Sequence, residues 1–262
     1  MADKAMLFDS SKCTGCKRCQ MACKAARGDA PMVEEGAMVR GAVRPWAADV
    51  DGDTLLAVTV TERTEGPKGL QLEHGRKSCM HCRDAACVRV CPTGAMEVDD
   101  ATGFVRSNAD RCVSCGLCQA VCPFDVPRMN VEQRRVVKCD GCAEAVAGGA
   151  EPFCTASCAY DALLFGDRPE LLEEAQRRVD ALKEQGFENA CVFGATEQGG
   201  LRVIEVLKYG VSGARGEVLA DTGSNATVQG AELAGPVSLG VLGALTVGGI
   251  VLLGYGMKQP RR

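Results

Sequence analysis

The chain has 262 residues, a formal net charge of −4 and 17 cysteines. That charge argues against a nucleic-acid surface and a polybasic membrane patch, and two histidines, His74 and His81, argue against haem ligation or a His-rich metal site. With one Trp, three Tyr and seven Phe, large apolar side chains are scarce, so thiol chemistry is expected to organise the fold.

In chain order, residues 1–9 ("MADKAMLFD") carry no apolar run of signal length, no small-residue cleavage site and no twin arginine. Transport is therefore expected to depend on a partner. The first cysteine group, Cys13, Cys16, Cys19 and Cys23, has the spacing C-x2-C-x2-C-x3-C. An insertion at 24–78 contains "AMVRGAV", with two Val, and "TLLAVTVTE", rich in Val and Thr, with the turn signal "DVDGD" between them. This predicts a β-hairpin. Group two is Cys79, Cys82, Cys87 and Cys91, spaced 2-4-3, with Pro92 following. Group three is Cys112, Cys115, Cys118 and Cys122, spaced 2-2-3, with Pro123 following. Group four is Cys139, Cys142, Cys154 and Cys158, spaced 2-11-3. The seventeenth thiol, Cys191, reads as a small buried apolar residue of a strand.

From 167 to 209 the pattern predicts a helix and two strands packed on the four-cluster domain of 1–166. Asp167 caps the helix, Pro169 sits in its first turn, and Gly186 ends it. Leu171, Leu172, Ala175, Val179 and Leu182 share its inner face, and "NACVFGA" and "LRVIEVL" read as short strands. A linker over 210–232 leads to 233–257, 25 residues without a charge. That length suits one transmembrane helix, with Gly240, Ala244 and Gly248 as a packing stripe. Lys258, Arg261 and Arg262 in the 258–262 tail place the C-terminus in the cytoplasm, and hence the cysteine domain on the periplasmic or outer side of the plasma (inner) membrane.

Disulfides do not call for repeated x2-x2-x3 triplets followed by proline, and zinc favours paired C-x2-C knuckles, which only group four resembles. The pattern C-x2-C-x2-C-x3-C-P is the bacterial ferredoxin signature for [4Fe–4S] clusters. Three close thiolates on a tight loop reach three corners of one cubane, and the fourth points to a neighbouring cluster. Sixteen thiols then make four [4Fe–4S] clusters. Groups two and three pair, so one cluster takes Cys79, Cys82, Cys87 and Cys122 and the other Cys91, Cys112, Cys115 and Cys118. By elimination, groups one and four pair. No phosphate-cradling loop or catalytic triad is evident, so electron transfer is expected and no catalytic residue is assigned.

The segments "AMLFDSSKCTGCKRCQMACK", "SCMHCRDAACVRVCPTGAM", "RCVSCGLCQAVCPFDVPRMN", "VVKCDGCAE" and "AQRRVDALKEQGFENACVFG" resemble the beta subunit of membrane-bound respiratory formate dehydrogenase. More broadly they resemble the iron–sulfur subunits paired with molybdenum or tungsten oxidoreductases. The resemblance implies an α+β fold of two pseudo-symmetric ferredoxin-like modules, each holding two [4Fe–4S] clusters, with an inserted β-hairpin and one C-terminal transmembrane helix. It implies one cluster on Cys13, Cys16, Cys19 and Cys158 and another on Cys23, Cys139, Cys142 and Cys154. It further implies a catalytic alpha subunit holding molybdopterin guanine dinucleotide, and a gamma subunit with b-type haem serving the quinone pool. The equivalent subunit of a hydrogenase or a polysulfide or sulfoxide reductase is the alternative. Ala159 departs from the family's C-P-T-G-like turn after the last cysteine, and His81 is expected to tune its cluster by hydrogen bonding at most.

Overall fold

The computed structural model describes residues 3–27, 49–64 and 69–211. Its elements are β1 (Lys4–Asp9), α1 (Arg18–Ala25), β2 (Leu56–Arg63), β3 (Gln71–Ser78), α2 (Ala86–Arg89), β4 (Met96–Val98), β5 (Val105–Ser107) and α3 (Leu117–Ala120). There follow β6 (Arg128–Asn130), β7 (Arg135–Val137), α4 (Ala143–Ala147), α5 (Phe153–Ala156), β8 (Leu163–Asp167), α6 (Arg168–Glu184), β9 (Cys191–Phe193) and β10 (Val203–Leu207).

One sheet, in the order β8-β1-β10-β9, joins the start of the chain to its later strands. β1 runs parallel to β10 and antiparallel to β8, with Leu7 opposite both Ile204 and Leu164. "AMLF" is apolar throughout because both faces of the sheet are covered. Ala5, Leu7, Ile204 and Val206 pack on Leu171, Ala175, Val179 and Leu182 of α6. Met6, Phe8, Leu163, Phe193 and Val203 form the opposite layer, and Cys13, Cys19, Cys23, Cys82 and Cys158 pack against it. The sheet thus holds a helix on one side and the cysteine loops on the other.

The predicted helix is present as α6, with Pro169 in its first turn and Gly186 beyond its end at φ 89°. Asp167 makes no side-chain capping bond and instead forms an ion pair with Lys4 of β1. Arg178 of α6 donates from Nη1 to the buried Asp9 carboxylate at 3.1 Å, and Asp9 accepts from the Ser11 N–H at 2.8 Å. This fixes the exit of β1 as it enters the first cysteine loop. Ile204, fully buried, is central to the helix-facing layer. Ile204→Ala is expected to cost about 2–5 kcal/mol, measured as an apparent melting temperature several degrees lower with the visible absorbance unchanged before the transition.

The inserted hairpin is present, but the strand paired with Leu56–Arg63 is Gln71–Ser78 over its whole length. The expected partner, residues 37–43, lies outside the described residues. "QLEHGRKS" has only one large apolar residue, and its Glu73 and Arg76, on opposite faces, are buried charges, so no alternation marks it as a strand. The hairpins β4–β5 and β6–β7 are three residues a side, too short to leave a periodic signal. Among the described residues no helix is long and apolar enough to cross a membrane. Segment 233–257 lies outside them.

Candidate metal centres

All four cysteine groups begin with the same local turn. The residue before the second cysteine has a left-handed backbone in each: Gly15 (φ 70°), His81 (φ 49°), Ser114 (φ 59°) and Gly141 (φ 72°). This conformation folds the loop back, so that the N–H of His81 donates to Cys79 Sγ and that of Gly141 to Cys139 Sγ, each at 3.4 Å. Glycine is required twice over at two of these positions. A Cβ at Gly15 would lie 2.5 Å from the His74 ring, and one at Gly141 would lie 2.5 Å from Phe104. The remaining short helices then carry later cysteines of each group: Cys19 and Cys23 on α1, Cys87 on α2, Cys118 on α3 and Cys154 on α5.

The loops converge in pairs. Cys13, Cys16, Cys19 and Cys158 line one cavity, partly open to solvent. Cys79, Cys82, Cys87 and Cys122 line a second, and Cys91, Cys112, Cys115 and Cys118 a third. A fourth set is marked by packing and charge: Cys23 packs against the core cluster that holds Cys139, and the charges acting on Cys23 include Cys139, Cys154 and Cys142. Cys191 lies apart from these sets, partly buried in β9, with no cysteine among the charges acting on it.

Burial raises several of these thiols above the ordinary range. It pushes Cys19, Cys87 and Cys142 up to about 12, and neighbouring thiols add to the effect. Cys118 is pushed up to about 11 by burial and by Cys115 and Cys91. Cys23 is raised by burial and then by Cys139. Cys91 is the exception. Burial raises it, but the Met96 N–H and the Thr93 hydroxyl outweigh that and bring it below the ordinary thiol range. Buried thiols raised in this way resist ionisation by themselves, whereas a bound cation deprotonates a coordinating thiol outright.

Two buried cations stand among the thiols. Arg76, 1% exposed, lines the first cavity, and burial, which disfavours its charge, is overcome by Cys154, Cys139, Glu205 and Cys19. Lys138, 3% exposed, lines the second cavity, and burial is likewise overcome by Cys79, Cys87 and Cys139. His81 is fully buried, and its Nδ1 accepts from the Val105 N–H at 3.0 Å, which leaves the proton on Nε2. Burial and the Lys138 charge keep the ring neutral. Among the described residues Nε2 has no hydrogen-bond partner, so the ring offers a donor inside the cysteine region.

These features fit iron–sulfur clusters. The donors are all thiols, backbone N–H groups point at sulfur, and cations are placed against the negative charge that thiolate-bound clusters carry. Among the described residues no three His, Cys, Asp or Glu side chains converge as a single ion needs. Arg76 and Lys138 have no counterpart among the features legible in the sequence. "VVKCDGC" does place a lysine after two valines, but nothing local marks it as buried.

Fold and site together define an iron–sulfur protein of the dicluster type. Two family models described as "4Fe-4S dicluster domain" match residues 5–92 and 71–168. The chain is 36% identical over 208 residues to the iron–sulfur subunit of the nitrate-inducible formate dehydrogenase of Escherichia coli (strain K12), covering 79% of this chain and 69% of that one. It is 35% identical over 205 residues to the formate dehydrogenase iron–sulfur subunit of Haemophilus influenzae, covering 78% and 64%. One chain of the anaerobic dimethyl sulfoxide reductase of Escherichia coli (strain K12) is 37% identical over 166 residues, covering 63% and 73%. The chain belongs to the family of formate dehydrogenase iron–sulfur subunits, and its role is electron transfer.

Proposed function

We propose that this chain is the non-catalytic relay subunit of a membrane-bound formate dehydrogenase and holds four [4Fe–4S] clusters. The assigned ligands are Cys13, Cys16, Cys19 and Cys158 for the first; Cys23, Cys139, Cys142 and Cys154 for the second; Cys79, Cys82, Cys87 and Cys122 for the third; and Cys91, Cys112, Cys115 and Cys118 for the fourth. When bound, such clusters accept and donate single electrons.

One observation carries the reading: the four sets follow one another as a line of neighbours. Cys154 of the second set acts on Cys19 of the first. Cys79 of the third acts on Cys139 of the second, and both pack in one core cluster. Cys118 of the fourth acts on Cys87 of the third. The two exposed cysteines, Cys16 and Cys115, belong to the two end sets. The chain's residues therefore shield the middle of the line from water and open its ends to partners.

In this reading one end meets a catalytic subunit with molybdopterin guanine dinucleotide and molybdenum or tungsten. The other meets a cytochrome b subunit serving quinone. Residues 233–257 form a single membrane anchor, the cysteine domain lies on the periplasmic side, and the C-terminus is cytoplasmic. A sulfoxide-reducing partner is the second reading, supported by the similarity to the dimethyl sulfoxide reductase relative over a shorter stretch. Purifying the tagged chain with its partners separates them. A formate-oxidising large subunit and about 16 Fe per chain are expected. A sulfoxide-reducing subunit selects the second reading, and zinc in place of iron overturns both.

A further inference from the structure

Lys138 is the ammonium at the junction of the two cysteine pairs. It follows β7, the last strand before group four, and its side chain lines the cavity of Cys79, Cys82, Cys87 and Cys122. Nζ donates to the backbone oxygen of Cys139 at 2.9 Å and to that of Val105. One side chain therefore touches the backbone of the second set and faces the space enclosed by the third. Both acceptors are neutral carbonyls, and no described carboxylate lies within ion-pair distance of Nζ. Asp140, exposed to solvent, acts on it only after three cysteines.

A buried ammonium costs several kcal/mol unless an opposite charge accompanies it. Arg76, buried beside the first cavity, has the buried carboxylate of Glu205 among the charges acting on it. Lys138 has thiols in that position: Cys79 and Cys87 from the third set and Cys139 from the second. Its natural counter-charge is the net negative charge of the clusters themselves, which grows by one unit on reduction. A fixed positive charge in a dry site favours the more negative, reduced form, and it acts strongly because no water screens it.

We propose that Lys138 is a positioning charge shared by the second and third clusters, raising the reduction potential of both so that the crossing between the two cluster pairs is not an uphill step. Resting on the cluster assignment above, the proposal gives Lys138 no part in ligation. It predicts a pattern along the line: the inner two clusters depend on this residue, and the outer two, held by Cys13, Cys16, Cys19, Cys158 and by Cys91, Cys112, Cys115, Cys118, do not.

The test is potentiometric titration of the purified complex, followed by electron paramagnetic resonance, for wild type, Lys138→Met, Lys138→Gln and Lys138→Arg. Both neutral variants should keep wild-type iron and shift two of the four midpoint potentials downward, leaving the other two in place. Lys138→Arg should keep all four near wild type. Four unchanged potentials in Lys138→Met overturn the proposal, as does an equal shift of all four. If the neutral variants lose iron, assembly kept by Lys138→Arg alone supports the charge role. Assembly kept by Lys138→Gln without a shift, or lost in all three, overturns it. Failure of the underlying cluster assignment would appear separately, as wild-type protein without four titrating cubane signals.

Discussion

Cys23→Ala is expected to remove one cluster and spare the one held by the three cysteines that precede it in sequence. Cys13, Cys16 and Cys19 line their cavity with Cys158, whereas Cys139 is the thiol that acts most strongly on Cys23. Cys23 lies on the last turns of α1, one turn beyond Cys19, so the helix itself carries the chain from one set to the next. On the proposed four-cluster assignment, iron should fall by about a quarter, because one of four cubanes is lost. Electron passage through the chain should stop, since the missing cluster is an inner member of the proposed relay. Spectroscopy of the variant decides the matter: disappearance of the first set's signal, with the second retained, would show that the assignment is reversed.

Removal of iron is expected to unfold the cysteine modules and leave the α6 layer standing. The cysteines are core residues here. Cys139 packs with Leu55 and Val137, and Cys118 with Met96 and Val136, with further cysteines against both clusters. Around them stand helices of four residues and hairpins of three residues a side. Helices that short do not persist alone in water, and isolated two-stranded hairpins are marginal at best. The layer between α6 and the outer face of the sheet contains no cysteine. Hydrogen exchange after chelation should therefore show protection lost over 79–158 by about a thousandfold or more, roughly 4 kcal/mol. That is well within the order of 10 kcal/mol that a structural metal site contributes. Amides of β1, β10 and α6 should keep more of their protection. Equal loss in both regions would mean that the sheet also depends on iron.

Much of this protein is legible before any fold is known. The x2-x2-x3 spacing is a local property, because three thiols separated by two residues can face one centre only if the loop turns tightly. That turn appears in all four groups as the left-handed residue before the second cysteine. α6 is equally legible, since its buried positions 171, 175, 179 and 182 repeat at the helical period. The strand Gln71–Ser78 is not, because its buried positions include the charged Glu73 and Arg76 and its pairing rests on backbone bonds to Leu56–Arg63.

The amino-acid sequence alone determined that sixteen thiols come in four groups, and that each group wraps a common kind of centre. Which group each outlying cysteine completes was already expected, for Cys91 and Cys122 from the pairing of adjacent groups and for Cys23 and Cys158 from the resemblance; where Arg76 and Lys138 sit among the thiols was decided only by the tertiary structure. The physical reason is range. A tight loop is encoded within about ten residues, whereas the approach of Cys158 to Cys13 depends on β8 pairing with β1 across the chain. The burial of Lys138 follows from the two cysteine pairs closing on each other, which no local pattern of residues can announce.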